Sequence, residues 1–492
     1  MSLINISNLT FSYDGSYDNV FENVSFRIDT DWKLGFTGRN GRGKTTFLNL
    51  LMGKYEYSGT ISSSVDFEYF PFNIDDENQN TIDIINILIG DFEFWRLERE
   101  LSLLDVSGDV LYRPFCTLSS GEQTKTLLAA LFLKKNSFLL IDEPTNHLDR
   151  EARTIVSNYL KSQKGFILVS HDREFLDNCI DHILSIGKTN IEVQNGNFSS
   201  WWSNKQNMDN FELAQNIKMQ KDIKKLSAAA KRTAAWSDKV EKSKREPLKS
   251  GLSADKGYIG HKSAKMMKRS KAIESRRQAA MDEKSKLLKN IETTDDLSIK
   301  PLKYHAARLA ELSNISVCYE GRPVCENVSF PISEGDRIAL QGKNGSGKSS
   351  ILRLMMSEDI PFNGELLIGS NITVSYVSQD TSFLKGNLRE FTNENKIDES
   401  LFKAILRKLG FSREQFEKDM GDFSGGQKKK VLIAKSLCEK AHIYIWDEPL
   451  NFIDVFSRMQ IEDLILKHNP TMLFVEHDGA FSHKIATKTI ML

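Results

Sequence analysis

Apolar positions in this chain change their period in a fixed order, and the order is run through twice. Leu9-Thr10-Phe11-Ser12-Tyr13 and Ile315-Ser316-Val317-Cys318-Tyr319 alternate apolar with polar, the period of a half-buried strand. Leu34-Gly35-Phe36-Thr37 and Ile338-Ala339-Leu340-Gln341 are short apolar strands, each followed by a glycine-rich loop and a helix. Phe138 to Ile141 and Ile443 to Trp446 are continuous apolar runs ending in Asp. They predict buried parallel strands that deliver a carboxylate at their C-terminal edge, where open α/β sheets bind ligands. Ile167-Leu168-Val169-Ser170 and Leu473-Phe474-Val475-Glu476 add one more strand to each unit. The expected architecture is α/β: two tandem nucleotide-binding domains, residues 1–203 and 303–492, joined by a helical hairpin over 204–302.

The middle segment has a different grammar. From Lys205 to Val240 there is neither Gly nor Pro, and Lys, Gln, Ala and Leu dominate, which predicts one long helix. Glu246 to Leu252 breaks it, and Gly257-Tyr258-Ile259-Gly260 extends the break before a second helix from His261 to Ile291. At 1.5 Å per residue the arms measure roughly 45–55 Å. A solvated coiled coil or a disordered linker is the competing reading; Met266, Met267 and Ile273 at helical spacing oppose disorder. Between Lys218 and Lys289 there are 22 Lys and Arg against 8 Asp and Glu, whereas the remainder holds 44 against 58. A formal net charge of zero therefore conceals a basic middle suited to nucleic-acid phosphates, flanked by acidic ends.

Candidate chemistry repeats with a period near three hundred residues. Gly38-Arg39-Asn40-Gly41-Arg42-Gly43-Lys44-Thr45 returns as Gly342-Lys343-Asn344-Gly345-Ser346-Gly347-Lys348-Ser349. Glycines let the backbone curl round phosphates, the Lys neutralises their charge and the hydroxyl reaches Mg²⁺. Glu22 to Phe26 recurs as Glu326 to Phe330, 304 residues on; Asp142-Glu143-Pro144 recurs as Asp447-Glu448-Pro449 after 305, and His171-Asp172 as His477-Asp478 after 306. Asp142 and Asp447 suit a Mg²⁺-holding role. Glu143 and Glu448 are placed to orient or deprotonate an attacking water, and His171 and His477 to sense a γ-phosphate. Ser119-Ser120-Gly121-Glu122 and Ser424-Gly425-Gly426-Gln427 open helices whose free N–H groups bind anions.

With 492 residues, 40% apolar and 27% charged, the composition is that of an ordinary globular protein with room for two or three domains. No apolar stretch is long enough to span a bilayer, and no secretory pattern opens the chain. Five cysteines without metal spacing point to reduced thiols and a cytoplasmic setting.

The strings Leu118-Ser119-Ser120-Gly121-Glu122 and Phe423-Ser424-Gly425-Gly426-Gln427 resemble the signature motif of ABC ATPases. The resemblance implies two ATP sites, each made by one phosphate loop and the opposite signature. One combines Gly38, Asn40, Gly41, Gly43, Lys44, Thr45, Thr46, Asp142, Glu143 and His171 with Ser424, Gly425, Gly426 and Gln427. The other combines Gly342, Asn344, Gly345, Gly347, Lys348, Ser349, Ser350, Asp447, Glu448 and His477 with Ser119, Gly121 and Glu122. Tyr13 and Tyr319 match the aromatic that stacks on adenine; Thr45, Asp142, Ser349, Gln379 and Asp447 are the implied Mg²⁺ ligands.

Two such units, a long basic linker and Glu143-Pro144-Thr145-Asn146-His147-Leu148-Asp149 resemble the ABC-F family. Within it, Trp32 to Gly35, Met267 to Lys271 and Tyr444 to Asn451 are most similar to the Lsa-type resistance proteins. Those proteins bind the bacterial ribosome near the tRNA exit site, approach peptidyl-site tRNA and large-subunit rRNA with the linker, and protect the peptidyl-transferase centre from lincosamides, pleuromutilins and streptogramin A compounds. Hydrolysis is expected to gate release, and the chain to be a monomer because its halves complete both sites. The alternatives are a housekeeping ABC-F translation factor and a transporter ATPase subunit, for which nothing here anchors a membrane partner. A DNA-repair or structural ATPase would bring zinc modules or a far longer coiled coil.

Three departures bear on mechanism. Phe72 stands where the second unit has Gln379 and cannot coordinate Mg²⁺ or water. Ser120 adds a Cβ where Gly425 has none, and Leu450 to Asp454 differs from its first-half counterpart. The two sites are therefore expected to hydrolyse ATP at unequal rates.

Overall fold

The computed structural model describes residues 2–14, 19–146, 148–187, 191–242, 256–287, 297–319 and 322–492. These form two compact units, one of Met1–Ser199 with Thr294–Leu492 and one of Ser200–Thr293.

In the first unit each half repeats one plan. A six-stranded sheet runs Asp66–Phe70, Ser137–Asp142, Phe166–Val169, Lys33–Thr37, His182–Ile186 and Ile191–Asn195, all parallel but the last. Its counterpart in the second half runs Val374–Val377, Ile443–Asp447, Met472–Val475, Arg337–Gln341 and Lys488–Met491, wholly parallel. Beside each lies an antiparallel trio: Phe21–Asp29, Leu3–Phe11 and Ser58–Ser62, then Arg322–Ser333, Arg308–Tyr319 and Phe362–Ile368. The apolar runs read as buried strands are the central ones, fully buried as Phe166–Val169 and Met472–Val475 are.

The phosphate-loop helix Lys44–Leu51 lies in the core shared by antiparallel and parallel sheets. Phe47, fully buried, meets Phe21, Phe26 and Phe36 with ring centroids 5.5–6.1 Å apart. Replacing it by Ala is the kind of change that costs about 3–5 kcal/mol. The helix is thus anchored from behind while its N-terminus projects. Gly43 and Gly347 begin the two loop helices at φ 92° and 89°, and a Cβ on Gly43 would stand 2.6 Å from Val20. Only glycine meets both demands there. Ser119, Asp149, Ser424 and Asp454 each cap the helix that follows, so the signature and Asp-Glu loops of both halves end in a fixed helix start.

The second unit is helical. Phe198–Lys242, which begins in the first unit, spans 45 residues and Lys256–Leu287 spans 32, lengths of about 68 and 48 Å. Gly257-Tyr258-Ile259-Gly260 is helical rather than part of the break. A helical Gly costs about 1 kcal/mol and forbids nothing, so flanking helix formers prevail. The arms approach through small residues: Ala230 and Ser263 are buried, and Ser270 Oγ lies 3.5 Å from Ala230 O. Met266 and Ile273 are half-buried and Met267 exposed. Lys221, Lys224, Lys225, Lys262, Lys265 and Lys268 all face solvent. Residues 243–255, which hold the expected break from Glu246 to Leu252, lie outside the described residues. No described helix is long and apolar enough to cross a membrane.

Candidate nucleotide-hydrolysis sites

In both halves the loop Lys turns back on its own loop. Lys44 Nζ donates to Gly38 O (2.8 Å), Asn40 Oδ1 (3.3 Å) and Arg39 O (3.4 Å); Lys348 Nζ donates to Gly342 O (2.9 Å) and Lys343 O (2.8 Å). Burial lowers the pKa of both ammonium groups, which places unhydrated positive charge at the phosphate cradle. Tyr13 and Tyr319 each reach the hydroxyl two positions after the Lys, at Thr46 (2.6 Å) and Ser350 (3.2 Å). Both rings are partly exposed beside the loop, as a stacking role requires.

Thr45 Oγ1 donates to Asp142 Oδ2 (3.1 Å), which also accepts from Tyr69 (3.0 Å). In the second half Ser349 bonds to Asp447, whose Oδ1 is buried with no hydrogen-bond partner. A hydroxyl, one carboxylate and an orphaned carboxylate oxygen fit Mg²⁺, which takes few protein ligands and completes its octahedron with phosphate and water. No cluster of three or more His, Cys, Asp or Glu suited to a metal occurs among the described residues.

The two glutamates occupy the same backbone position and different environments. Both follow the strand-end Asp in a left-handed conformation, at φ 51° for Glu143 and 45° for Glu448, and each donates its N–H to the neighbouring strand. Such a φ in a non-glycine residue costs about 1–2 kcal/mol and turns the carboxylate off the strand toward the loop. Glu448 Oε2 accepts from Asn451 (2.7 Å) and Gln379 (2.8 Å), and Oε1 lies 3.2 Å from His477 Nε2. Burial pushes its pKa up, but His477, Lys429 and Asn451 outweigh burial and hold it below the usual carboxylate range. At Glu143, His171 Nε2 stands 3.3 Å from an Oε1 that makes no hydrogen bond among the described residues. Phe72 has no amide to offer where Gln379 does. Burial, then the charge of Asp142, pushes Glu143 up to about 8 against the pull of Arg458, Lys44 and Arg153. Burial likewise drives His171 well below its ordinary value, with Lys44 and Arg458 adding to the effect.

Each loop faces the opposite half. A cavity of about 380 Å³ is lined by Asn344, Gly345, Gly347, Lys348, Ser349, Ser350, Gln379, Glu448 and His477, with Ser120 and Arg153 from the first half. At the other loop Asn40 Nδ2 donates to Phe452 O (2.9 Å), and Gly426 packs so closely that a Cβ would stand 2.4 Å from that oxygen. Gly121 has no such neighbour nearer than Leu148, at 3.8 Å. Glu122 and Gln427 turn back to accept from the N–H of Ser119 and Ser424 (2.8 Å each), forming capping boxes rather than reaching across. For Glu122 this holds the carboxyl below its ordinary pKa.

Sequence reasoning missed Tyr69, Asn451, the Phe452 carbonyl and the arginines Arg153 and Arg458. The arginines stand 305 residues apart, the same step as the Asp-Glu pairs, so aligning the halves beyond the motifs would have marked them.

Two phosphate-loop α/β halves with their loops facing one another's signature turns define a tandem ABC-type ATPase. The ABC transporter family model matches residues 21–146 and 325–451, and the chain belongs to that ATPase family, within it to the ABC-F proteins. It is similar to the ribosome protection protein VmlR of Bacillus subtilis, 26% identical over 98% of this chain and 85% of the relative. It is similar also to the ATP-binding protein Uup of Buchnera aphidicola, 26% identical over 99% and 80%. Among solved structures, the RNase-L inhibitor matches with a TM-score of 0.64 at 19% identity, covering 99% of this chain and 87% of that one. A model of ribosome-bound archaeal Pelota and ABCE1 contains a chain matching at 0.62 and 18%, covering 98% and 76%. These structures bear on the fold alone.

Proposed function

We propose that this chain is a cytoplasmic, monomeric ATPase that binds the bacterial ribosome and protects its peptidyl-transferase centre from lincosamide, pleuromutilin and streptogramin A antibiotics. In this reading the ATPase domains are residues 1–203 and 303–492, and the basic linker 204–302 enters from the tRNA exit site toward peptidyl-site tRNA and large-subunit rRNA. The observation that carries it is the pair of long helices Phe198–Lys242 and Lys256–Leu287 with Lys221, Lys224, Lys225, Lys262, Lys265 and Lys268 exposed, lying in sequence between two ATPase halves in a chain that a ribosome protection protein matches over 98% of its length. Exposed Lys and Arg neutralise RNA phosphates and give binding that falls steeply with salt.

Within each site, Lys44 or Lys348 and the loop N–H groups hold the ATP phosphates while Tyr13 or Tyr319 stacks on adenine. Thr45 with Asp142, and Ser349 with Asp447 and Gln379, would hold Mg²⁺, which when bound would neutralise phosphate charge. Glu143 and Glu448 orient the attacking water and take its proton, and His171 and His477 fix those carboxylates. The signature turns, led by Ser119 and Ser424, close the sites from the opposite half. Closure with ATP favours the ribosome-bound form, and hydrolysis releases it.

The test is drug susceptibility of a sensitive bacterium expressing the chain, with lincomycin, tiamulin and a streptogramin A, beside a Glu143→Gln/Glu448→Gln variant. Tolerance raised by the wild type and lost in the variant supports the proposal. Unchanged tolerance, with the variant still accumulating on ribosomes, would move the function to a translation factor acting without drug.

A further inference from the structure

The two halves carry equivalent arginines in unequal positions. Arg153 and Arg458 sit one turn into the helices Arg150–Ser162 and Val455–His468 that follow the Asp-Glu loops, and both are buried. Each donates Nε to the loop carbonyl before its helix, Leu148 O (3.0 Å) or Ile453 O (2.9 Å). Each donates Nη1 to the Asp after the site His, Asp172 or Asp478 (2.9 Å in both). Here the symmetry ends. Arg458 commits Nη2 as well, to Leu450 O at 3.0 Å. Arg153 makes no third hydrogen bond among the described residues, and its side chain lines the cavity of the second-half phosphate loop beside Lys348, Ser349, Glu448 and His477.

From this we infer that Arg153 is a phosphate-facing cation supplied in trans: rooted in the first half, it acts on the nucleotide held by the second-half loop. Its root is the segment Asp172, adjacent to His171 of the other site, so one side chain ties the first site's histidine segment to the second site's phosphate. A guanidinium is well suited to this, since its planar fork can keep two donors on the protein and present a third to an oxyanion. Water is already excluded from its stem, so the donor acts at low dielectric where developing charge is best stabilised. Arg458, with all three nitrogens engaged by the protein, has no nitrogen left free for a phosphate and bears on the first site through its charge on Glu143 and His171. The inference rests on the reading of Glu448 and the second-half loop as a hydrolysis site.

The test separates the two sites in the full-length protein. Glu143→Gln leaves Glu448 as the sole intact acid, and Glu448→Gln leaves Glu143. Into each background goes Arg153→Gln with Asp172→Asn, removing both buried charges together so that neither is left unpaired, and separately Arg153→Lys. Single-turnover hydrolysis at saturating ATP is read, with circular dichroism melting as a check on folding. The expected result is a loss of about 10²-fold in the Glu143→Gln background, at least tenfold deeper than in the Glu448→Gln background, and partial recovery with Arg153→Lys. Equal losses in the two backgrounds would reduce Arg153 to a structural tie and overturn the inference, as would no loss in either. If Glu448→Gln alone leaves steady-state turnover at the wild-type level, the reading of the second-half site itself fails, a result separable from any effect of Arg153.

Discussion

Glu448→Gln is expected to remove at least about nine-tenths of steady-state ATP turnover, and Glu143→Gln only a minor part. Glu448 accepts two side-chain hydrogen bonds, from Gln379 and Asn451, and no counterpart of either is found at Glu143 among the described residues. Hydrogen bonds to a charged group contribute about 1.5–3 kcal/mol each, and about 1.4 kcal/mol in a barrier is a factor of ten. These two bonds fix the Glu448 carboxylate and keep it ionised, and a tenfold advantage for the second-half site corresponds to only about 1.4 kcal/mol in the barrier. Protonation works in the same direction. Glu448, held below the usual range, is ionised at pH 7, whereas Glu143, raised to about 8, is mostly protonated and gains base form only as pH rises through that value. The residual activity of the Glu448→Gln variant should accordingly climb between pH 7 and 9, while that of Glu143→Gln stays flat. Phosphate release from the purified full-length chain, measured with both single variants across that range, is the assay. Equal losses at pH 7.5, or a deeper loss with Glu143→Gln, would refute the reasoning.

Gly426→Ala should lower the melting temperature, because its Cβ would stand 2.4 Å from Phe452 O and disturb the Asn40 contact; the matching Gly121→Ala, with 3.8 Å of room, should hold or raise it by differential scanning calorimetry. Asp454→Asn should cost about 3–5 kcal/mol at pH 7, since it strands Lys430 in the interior, 2.8 Å from a side chain that is fully buried. Burial opposes ionisation of Asp454, but Lys430 and the Ser457 N–H hold its folded pKa below the unfolded 3.8, so this stability is present above pH 4 and lost as pH falls further. The gap between denaturant melts of wild type and variant should therefore narrow from pH 7 to pH 3 without closing, because the folded pKa lies well below that range; a constant gap would mean that packing, not charge, is what the substitution removes.

Much of this was written in local pattern. A buried parallel strand is a continuous apolar run wherever it occurs, and a phosphate loop needs its glycines, Lys and hydroxyl at fixed spacing because the backbone itself is the ligand. Phe138–Ile141, Ile443–Trp446 and both loops could thus be read without coordinates, and the strict repetition made chance an inadequate explanation. The long helices were legible from the absence of Gly and Pro over Lys205 to Val240. Gly257 and Gly260 misled, because propensity is a weak local term that neighbouring residues override.

What chain order could not reveal is which groups meet across three hundred residues. The Asn40–Phe452 bond, the reach of Arg153 into the other half's cavity and the three groups on Glu448 depend on how separate strands and helices pack. The left-handed backbone of Glu143 and Glu448 is likewise imposed by the adjoining strand that takes their N–H groups, not by any preference of glutamate. The sequence by itself therefore determined the elements, the repeat and the kinds of chemistry available. Only the tertiary structure decided that the two sites are unequal, because burial and electrostatics act through space, and residues alike in sequence acquire different strengths when their neighbours differ.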